Sequence, residues 1–202
     1  DGWLVSVEED PESMSVSISV WNASVEQGSM ISGEPWGSSP AVVISGSSLV
    51  LHDSHRLDYY ELESISTEFS PKFSRNESEV LLDVAIAESE TGQPLLIMVH
   101  EDYLEIVDDE QVPVGTVSSG GTFSIVAASE QLVAWAVGGS SSPTVNVTSI
   151  SGSISISLTL DVTASKDEDE YLEDISGIAV NYSDAEVIDI DMDPSWVVAV
   201  VD

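Results

Sequence analysis

Met14-Ser15-Val16-Ser17-Ile18-Ser19-Val20 alternates apolar and hydroxyl side chains at every step. A repeat of two belongs to a β-strand, with one row of side chains on a core face and the other in water. Nearly the same pattern returns at Ile154-Ser155-Ile156-Ser157-Leu158-Thr159-Leu160-Asp161-Val162. Serine and threonine opposite an apolar row describe a wetted sheet surface over a packed one. Further strands are expected at 41–44, 48–52, 59–65, 80–87, 95–100, 103–107, 122–127, 132–137, 144–147, 178–182, 187–191 and 196–201. Within them Leu81-Leu82-Asp83-Val84-Ala85-Ile86-Ala87 suits a short helix as well as a strand.

Between these runs stands turn chemistry: Gly33-Glu34-Pro35, Gly37-Ser38-Ser39-Pro40, Glu90-Thr91-Gly92-Gln93-Pro94, Asp108-Asp109-Glu110 and Ser118-Ser119-Gly120-Gly121. Short strands with turns about every 8 to 12 residues predict an all-β fold, an antiparallel β-sandwich of jelly-roll or immunoglobulin-like type. Residues 138–143 make the best hinge, but the stretch after it is short for an independent domain. One sandwich domain is therefore expected over 11–202, preceded by an extension at 1–10.

Charge on this chain is almost entirely of one sign: 37 Asp+Glu against 4 Lys+Arg in 202 residues, a formal net charge of -33 at pH 7. Most carboxylates then lack an internal partner, and the compact state repels itself. Concentrated salt relieves this, because at about 1 M ionic strength the screening length falls to roughly 3 Å. Acidity does not mean disorder here, since 42% of residues are hydrophobic, five are Trp and mean hydropathy is +0.12. The same charge argues against nucleic-acid partners, whose phosphates it repels. No apolar run approaches the roughly 18 residues of a bilayer span, so membrane insertion is not expected. With no cysteine, there is neither a disulfide framework nor a thiolate metal site.

Asparagine occurs only at Asn22, Asn76, Asn146 and Asn181, and each opens an N-x-S/T sequon. Such sequons accept glycans only where they meet the glycosylation machinery, so a secreted or cell-surface protein bearing N-linked glycans is expected. A chain starting at Asp1 rather than Met fits an exported, processed product and equally a trimmed chain.

Catalysis is not expected. The histidines are His52, His55 and His100, and the chain has no G-x-S-x-G, G-x-G-x-x-G, P-loop or H-E-x-x-H motif. His52-Asp53-Ser54-His55 follows a strand and reads as a surface turn. No cofactor is required, but acidic clusters could hold Ca2+ or other cations, which take six to eight oxygen ligands. The residues for this are Asp167 and Asp169 in the densest acidic run, and Asp189, Asp191 and Asp193 along one strand face, with Ile190 and Met192 on the core side. Against this stands a plain solvated acidic surface.

The chain ends are apolar where the body is charged. Trp3-Leu4-Val5-Ser6-Val7 stops at Glu8-Glu9-Asp10-Pro11, and Trp196-Val197-Val198-Ala199-Val200-Val201 runs almost without polarity. Exposed apolar strands are normally charged or covered. Each end therefore either pairs within its own sheet or meets another subunit, with Trp3, Val5, Val7, Trp196, Val198 and Val200 as the contact residues.

This combination resembles secreted filament subunits that assemble by donor-strand exchange, such as bacterial chaperone-usher pilins and archaeal thread or bundling pili. The resemblance implies that 1–10 is donated to the sheet of a neighbouring subunit, with Trp3, Val5 and Val7 inserted. In composition the chain is similar to secreted proteins of halophilic archaea. The expected function is thus an extracellular structural subunit forming a homopolymer of copies of itself, a surface filament of a salt-adapted organism. Two other readings are a capsid, spike or tail protein of a virus of such a host, and a calcium-dependent carbohydrate-binding or adhesion module in which Trp21, Trp36 and Trp135 line an exposed groove.

Overall fold

A computed structural model describes residues 2–10, 12, 15–23, 27–31, 35–62, 68–118, 122–138, 144–150, 155–159, 187–193 and 196–201. The first sheet contains β1 (Trp3–Asp10), β2 (Ser15–Asn22) and β3 (Gln27–Ile31) as an antiparallel meander. The second contains β4 (Ala41–Ser45), β5 (Ser48–His52) and β6 (Arg56–Glu61). Next along the chain, β7 (Glu68–Phe69) runs parallel to β3 at the edge of the first sheet, and β8 (Phe73–Asn76) returns to pair with β6. One crossing thus sews the first two sheets together.

Plain up-and-down meanders follow. The third sheet is β9 (Asp83–Glu88), β10 (Pro94–Val99), β11 (Tyr103–Asp108) and β12 (Pro113–Ser118). The fourth is β13 (Thr122–Ser129), β14 (Leu132–Gly138), β15 (Thr144–Ser149) and β16 (Ser155–Thr159). Strands β17 (Val187–Asp193) and β18 (Trp196–Val201) form a two-stranded fifth sheet. Tight hairpins join neighbours; Ser45 pairs with Ser48 across a two-residue loop, where Gly46 takes a positive φ of 57° that suits glycine.

The middle strands show why these sheets stack. In β10 the run Leu95-Leu96-Ile97-Met98-Val99 has no polar row. Leu95, Ile97 and Val99 join a core shared with the fourth sheet, while Leu96 and Met98 join one shared with the second. The same division splits β9, with Ala85 and Ala87 toward the fourth sheet and Val84 and Ile86 toward the second. In β14, Val133 and Trp135 face the third sheet, whereas Ala134 and Ala136 face the fifth. Strands buried on both faces read as continuous apolar runs, and each buried Leu or Ile stabilises by about 1.5–3 kcal/mol.

A sandwich has two sheets around one core, whereas this chain lays separate cores between successive sheets. The first strands of the second to fifth sheets, β4, β9, β13 and β17, lie side by side, so the sheets fan out from a common edge. Antiparallel four-stranded sheets stacked radially are the arrangement of propeller blades. The jelly-roll or immunoglobulin-like sandwich is therefore corrected. Alternation describes the first sheet, which has one open face, but the fully apolar strands signalled two-sided burial.

The donated strand is corrected as well. β1 pairs with β2 of its own chain from Trp3↔Asn22 to Asp10↔Ser15. Trp3, Val5 and Val7 pack on the core between the first and second sheets, with Trp3 edge-on to Phe69 at 6.2 Å between ring centroids. With that strand satisfied at home, the likeness to donor-strand pilus subunits loses its footing. The ambiguous run at 81–87 is strand from Asp83 onward. Of the hinge, Gly138 closes β14 and 139–143 lie outside the described residues. Among the described residues no helix is long and apolar enough to cross a membrane.

Candidate functional site

Three of the four cations of this acidic chain fall between residues 56 and 75, on or beside the second sheet. Arg56 on β6 bonds Asp58 two residues along the same strand face, Nε to Oδ1 at 3.1 Å and Nη2 to Oδ2. Asp58 is 0% exposed, so the pair is a buried one on its acidic side. Above it the guanidinium lies 4.2 Å from the Trp36 ring centroid, and Nη1 donates to the Pro35 carbonyl at 3.4 Å. Arg56 thereby ties the 35–40 segment onto the second sheet. Burial, and then the Asp58 charge, push the Tyr60 phenol well above its ordinary pKa.

Two further cations leave the second sheet for the third. Lys72 Nζ is held between Glu61 Oε2 at 3.1 Å and Asp109 Oδ2 at 2.5 Å. The bond to Asp109 is the main reason its pKa rises. Arg75 on β8 donates Nη2 to Glu105 Oε2 on β11 at 2.7 Å and also pairs with Glu77. Beside it Tyr103 donates its hydroxyl to Glu79 Oε2 at 2.9 Å. Burial, that bond and the surrounding Glu79, Glu105 and Glu77 charges push the Tyr103 phenol up to about 12. His100, sealed from solvent, stacks on Tyr103 at 4.6 Å, with Nε2 4.0 Å from Glu105 Oε2.

A second buried polar region lies where β5 meets β9. His52 is enclosed, and neither ring nitrogen makes a hydrogen bond among the described residues. Burial lowers its pKa, opposed by the charges of Asp83 and Asp53. Asp83 accepts from Val84 N at 2.8 Å and from Val126 N at 2.9 Å, which clips the third sheet to the fourth; burial raises its pKa. The following turn is organised by Asp53, whose Oδ1 accepts from His55 N at 2.7 Å and Arg56 N at 2.8 Å. His55 is exposed and His52 is not, so the two rings do not share a surface.

The sequons fall unequally. Asn76 ends β8 and is exposed. Asn22 is half-buried opposite Trp3, and Asn146 is half-buried on β15 opposite Trp135. Asn181 lies outside the described residues, as do Asp167 and Asp169. Asp189 and Asp191 are exposed on β17, while Ile190 and Met192 are buried against the fourth sheet. In register, Asp189, Asp191 and Asp193 stand opposite Val200, Val198 and Trp196 of β18. Among the described residues no group of three or more His, Asp or Glu is placed to hold a metal ion. Trp36 and Trp135 are buried in different cores and Trp21 is exposed, so the three do not line a groove.

Sequence reasoning missed the ion pairs between sheets, because Arg75–Glu105 spans 30 residues and Lys72–Asp109 spans 37. The available signal was the crowding of three scarce cations into one stretch.

No family model and no curated protein matches the chain. Distant likenesses exist among solved structures. They include the Pan2 WD40 domain of Neurospora crassa (12% identity, TM-score 0.45, covering 76% of this chain and 49% of that one). The Cps50 (Swd1) β-propeller domain of Myceliophteria thermophila gives 10% identity, TM-score 0.44 and coverages of 68% and 49%. BamB from Moraxella catarrhalis gives 12% identity, TM-score 0.43 and coverages of 60% and 35%. The chain spans half or less of the length of each. The sheet order of this chain itself carries the correction of the sandwich.

Proposed function

We propose that this chain is an exported, N-glycosylated structural protein of a salt-adapted surface, acting as an assembly of copies and not as a catalyst. The observation that carries it is where the charge sits. Arg56, Lys72 and Arg75 are consumed in ion pairs within and between two sheets. Outward carboxylates such as Glu8, Glu88, Glu90, Glu101, Glu130 and Asp191 are left facing solvent. A surface of that kind is soluble and self-repelling in dilute medium and tolerates close packing in brine. Exposure of Asn76 at the outer edge of the second sheet suits a glycan. Sealing of His52 and His100 in the interior suits a structural role better than acid–base chemistry.

Fractionation and electron microscopy of native cells test this. The expected result is glycosylated protein at the cell surface in ordered arrays. Unglycosylated protein confined to the cytoplasm would overturn it.

A further inference from the structure

We propose that the outer face of the first sheet is the surface through which two copies of this chain pair, about a two-fold axis. Its inner face carries Trp3, Val5, Val7, Val16, Ile18 and Val20 onto the second sheet. The opposite face holds an apolar patch that none of the described residues covers: Leu4 is 64% exposed, Trp21 47% and Met30 50%. Register brings these together, with Leu4 directly opposite Trp21, and Met30 opposite Ser19, two residues from Trp21 on the same face. The patch is also flat. A Cβ on Gly28 would come within 2.9 Å of the Trp21 ring, so the indole lies down over the glycine, and Ser19 Oγ donates to Met30 Sδ at 3.4 Å.

Charge selects the occupant. Ser6, Ser17, Ser19 and Gly28 fill the spaces around the patch, while the carboxylates Glu8 and Asp10 lie toward the far end of β1 and Glu68 stands beside Met30 on the outermost strand β7. In a chain of net charge -33, this gives copies a face on which they can meet without setting carboxylate against carboxylate. The fifth sheet is a poorer partner, because exposed Asp189 and Asp191 would be desolvated against an uncharged surface. A two-fold axis in the interface and parallel to β2 sets β1 of one copy over β3 of the other and Ser19 over its own counterpart, and it carries Glu68 beyond the β1 edge, so the carboxylates do not stack on one another. The face measures about 26 Å by 14 Å from strand dimensions, below the roughly 800 Å² per partner of a standard interface. Pairing is therefore weak and depends on salt.

This deepens the structural reading by naming the contact, and the two fail separately: a monomer in solution leaves export and glycosylation untouched. Sedimentation velocity of the full chain is the test, in about 0.1 M and about 1 M sodium chloride, where screening differs roughly threefold in length. A concentration-dependent dimer is expected at high salt. Leu4→Glu and Met30→Gln should each weaken it at least tenfold while the thermal midpoint stays unchanged, since both side chains are exposed and neither change sets a carboxylate beside Glu68. Ser19→Cys should cross-link to its own counterpart under oxidation, which only a two-fold contact through this face allows. A monomer at every concentration in high salt overturns the proposal. So does a dimer indifferent to both substitutions, or one that Asp191→Asn strengthens and Leu4→Glu leaves alone, which would place the contact on the fifth sheet.

Discussion

Arg75 Nη2 on the outermost strand of the second sheet and Glu105 Oε2 on the third sheet meet at 2.7 Å, although 30 residues separate them in sequence. With both partly buried, their coupling should reach the upper end of the exposed-pair range, about 1 kcal/mol. Arg75→Met should cost more than Glu105→Gln, because it leaves Glu77, Glu79 and Glu105 crowded around Tyr103 with no cation. A double-mutant cycle by denaturant unfolding measures this, and zero coupling would demote the pair to ornament.

Arg56 and Asp58 present the sharper case, since Asp58 is wholly enclosed. Arg56→Met strands a buried carboxylate and should destabilise by about 3–5 kcal/mol. Replacing both, as Arg56→Met with Asp58→Leu, should recover most of that loss, because an apolar pair needs no desolvated charge. Thermal unfolding of the three proteins decides it. A double variant no better than the single would mean that the Trp36 contact, and not the stranded charge, sets the cost.

His52 gives a pH dependence whose sign can be worked out. Burial lowers its folded pKa below the unfolded value near 6.5, so the folded state binds the proton less readily. Stability is complete above about pH 6.5 and declines as pH falls from there toward the folded pKa, with a limiting slope of about 1.4 kcal/mol per pH unit. Asp83 acts oppositely, because a raised carboxyl pKa favours folding as it protonates, at lower pH. Relative to wild type, His52→Phe should therefore gain stability steadily between pH 6.5 and 5.5 in chemical denaturation. A difference independent of pH would show that His52 binds its proton as readily in the folded protein as in the unfolded chain, so that burial does not shift it.

Strand chemistry was legible in the sequence because period two is local: Val16, Ile18 and Val20 point inward and Ser15 and Ser17 outward, as the alternation requires. Architecture was less so. Leu95 to Val99 announced a strand buried on both faces, but which sheets flank it depends on contacts far along the chain. Position in the sheet likewise decided the ends: Trp3, Val5 and Val7 are as apolar as a donated strand needs, yet serve the core of their own chain. The ion pairs between sheets were illegible, since charge says nothing of register across 30 or 37 residues.

The four sequons should not be filled alike. Asn76 is exposed at a strand end, whereas Asn22 and Asn146 are half-buried on faces that also carry Trp3 and Trp135. Peptide mass spectrometry of native protein should find Asn76 near full occupancy and Asn146 the lowest of these three. Full occupancy at Asn146 would require the face between the third and fourth sheets to be open when the sugar is attached.

Salt dependence separates two physical causes. Screening of like charges and exclusion of salt from apolar surface both raise stability between about 0.1 M and about 1 M sodium chloride. Only screening depends on the number of carboxylates. Glu88 and Glu130 are both exposed, and a 2.7 Å bond from Glu88 N to Glu130 O brings their backbones together. Two like charges so placed repel more than separated ones, so Glu88→Gln with Glu130→Gln should stabilise in dilute buffer and matter little in brine. The salt curve of the thermal midpoint should become shallower in that variant. An unchanged slope with a uniform offset would assign the salt effect to apolar burial instead, and the net charge of -33 would then be a matter of solubility alone.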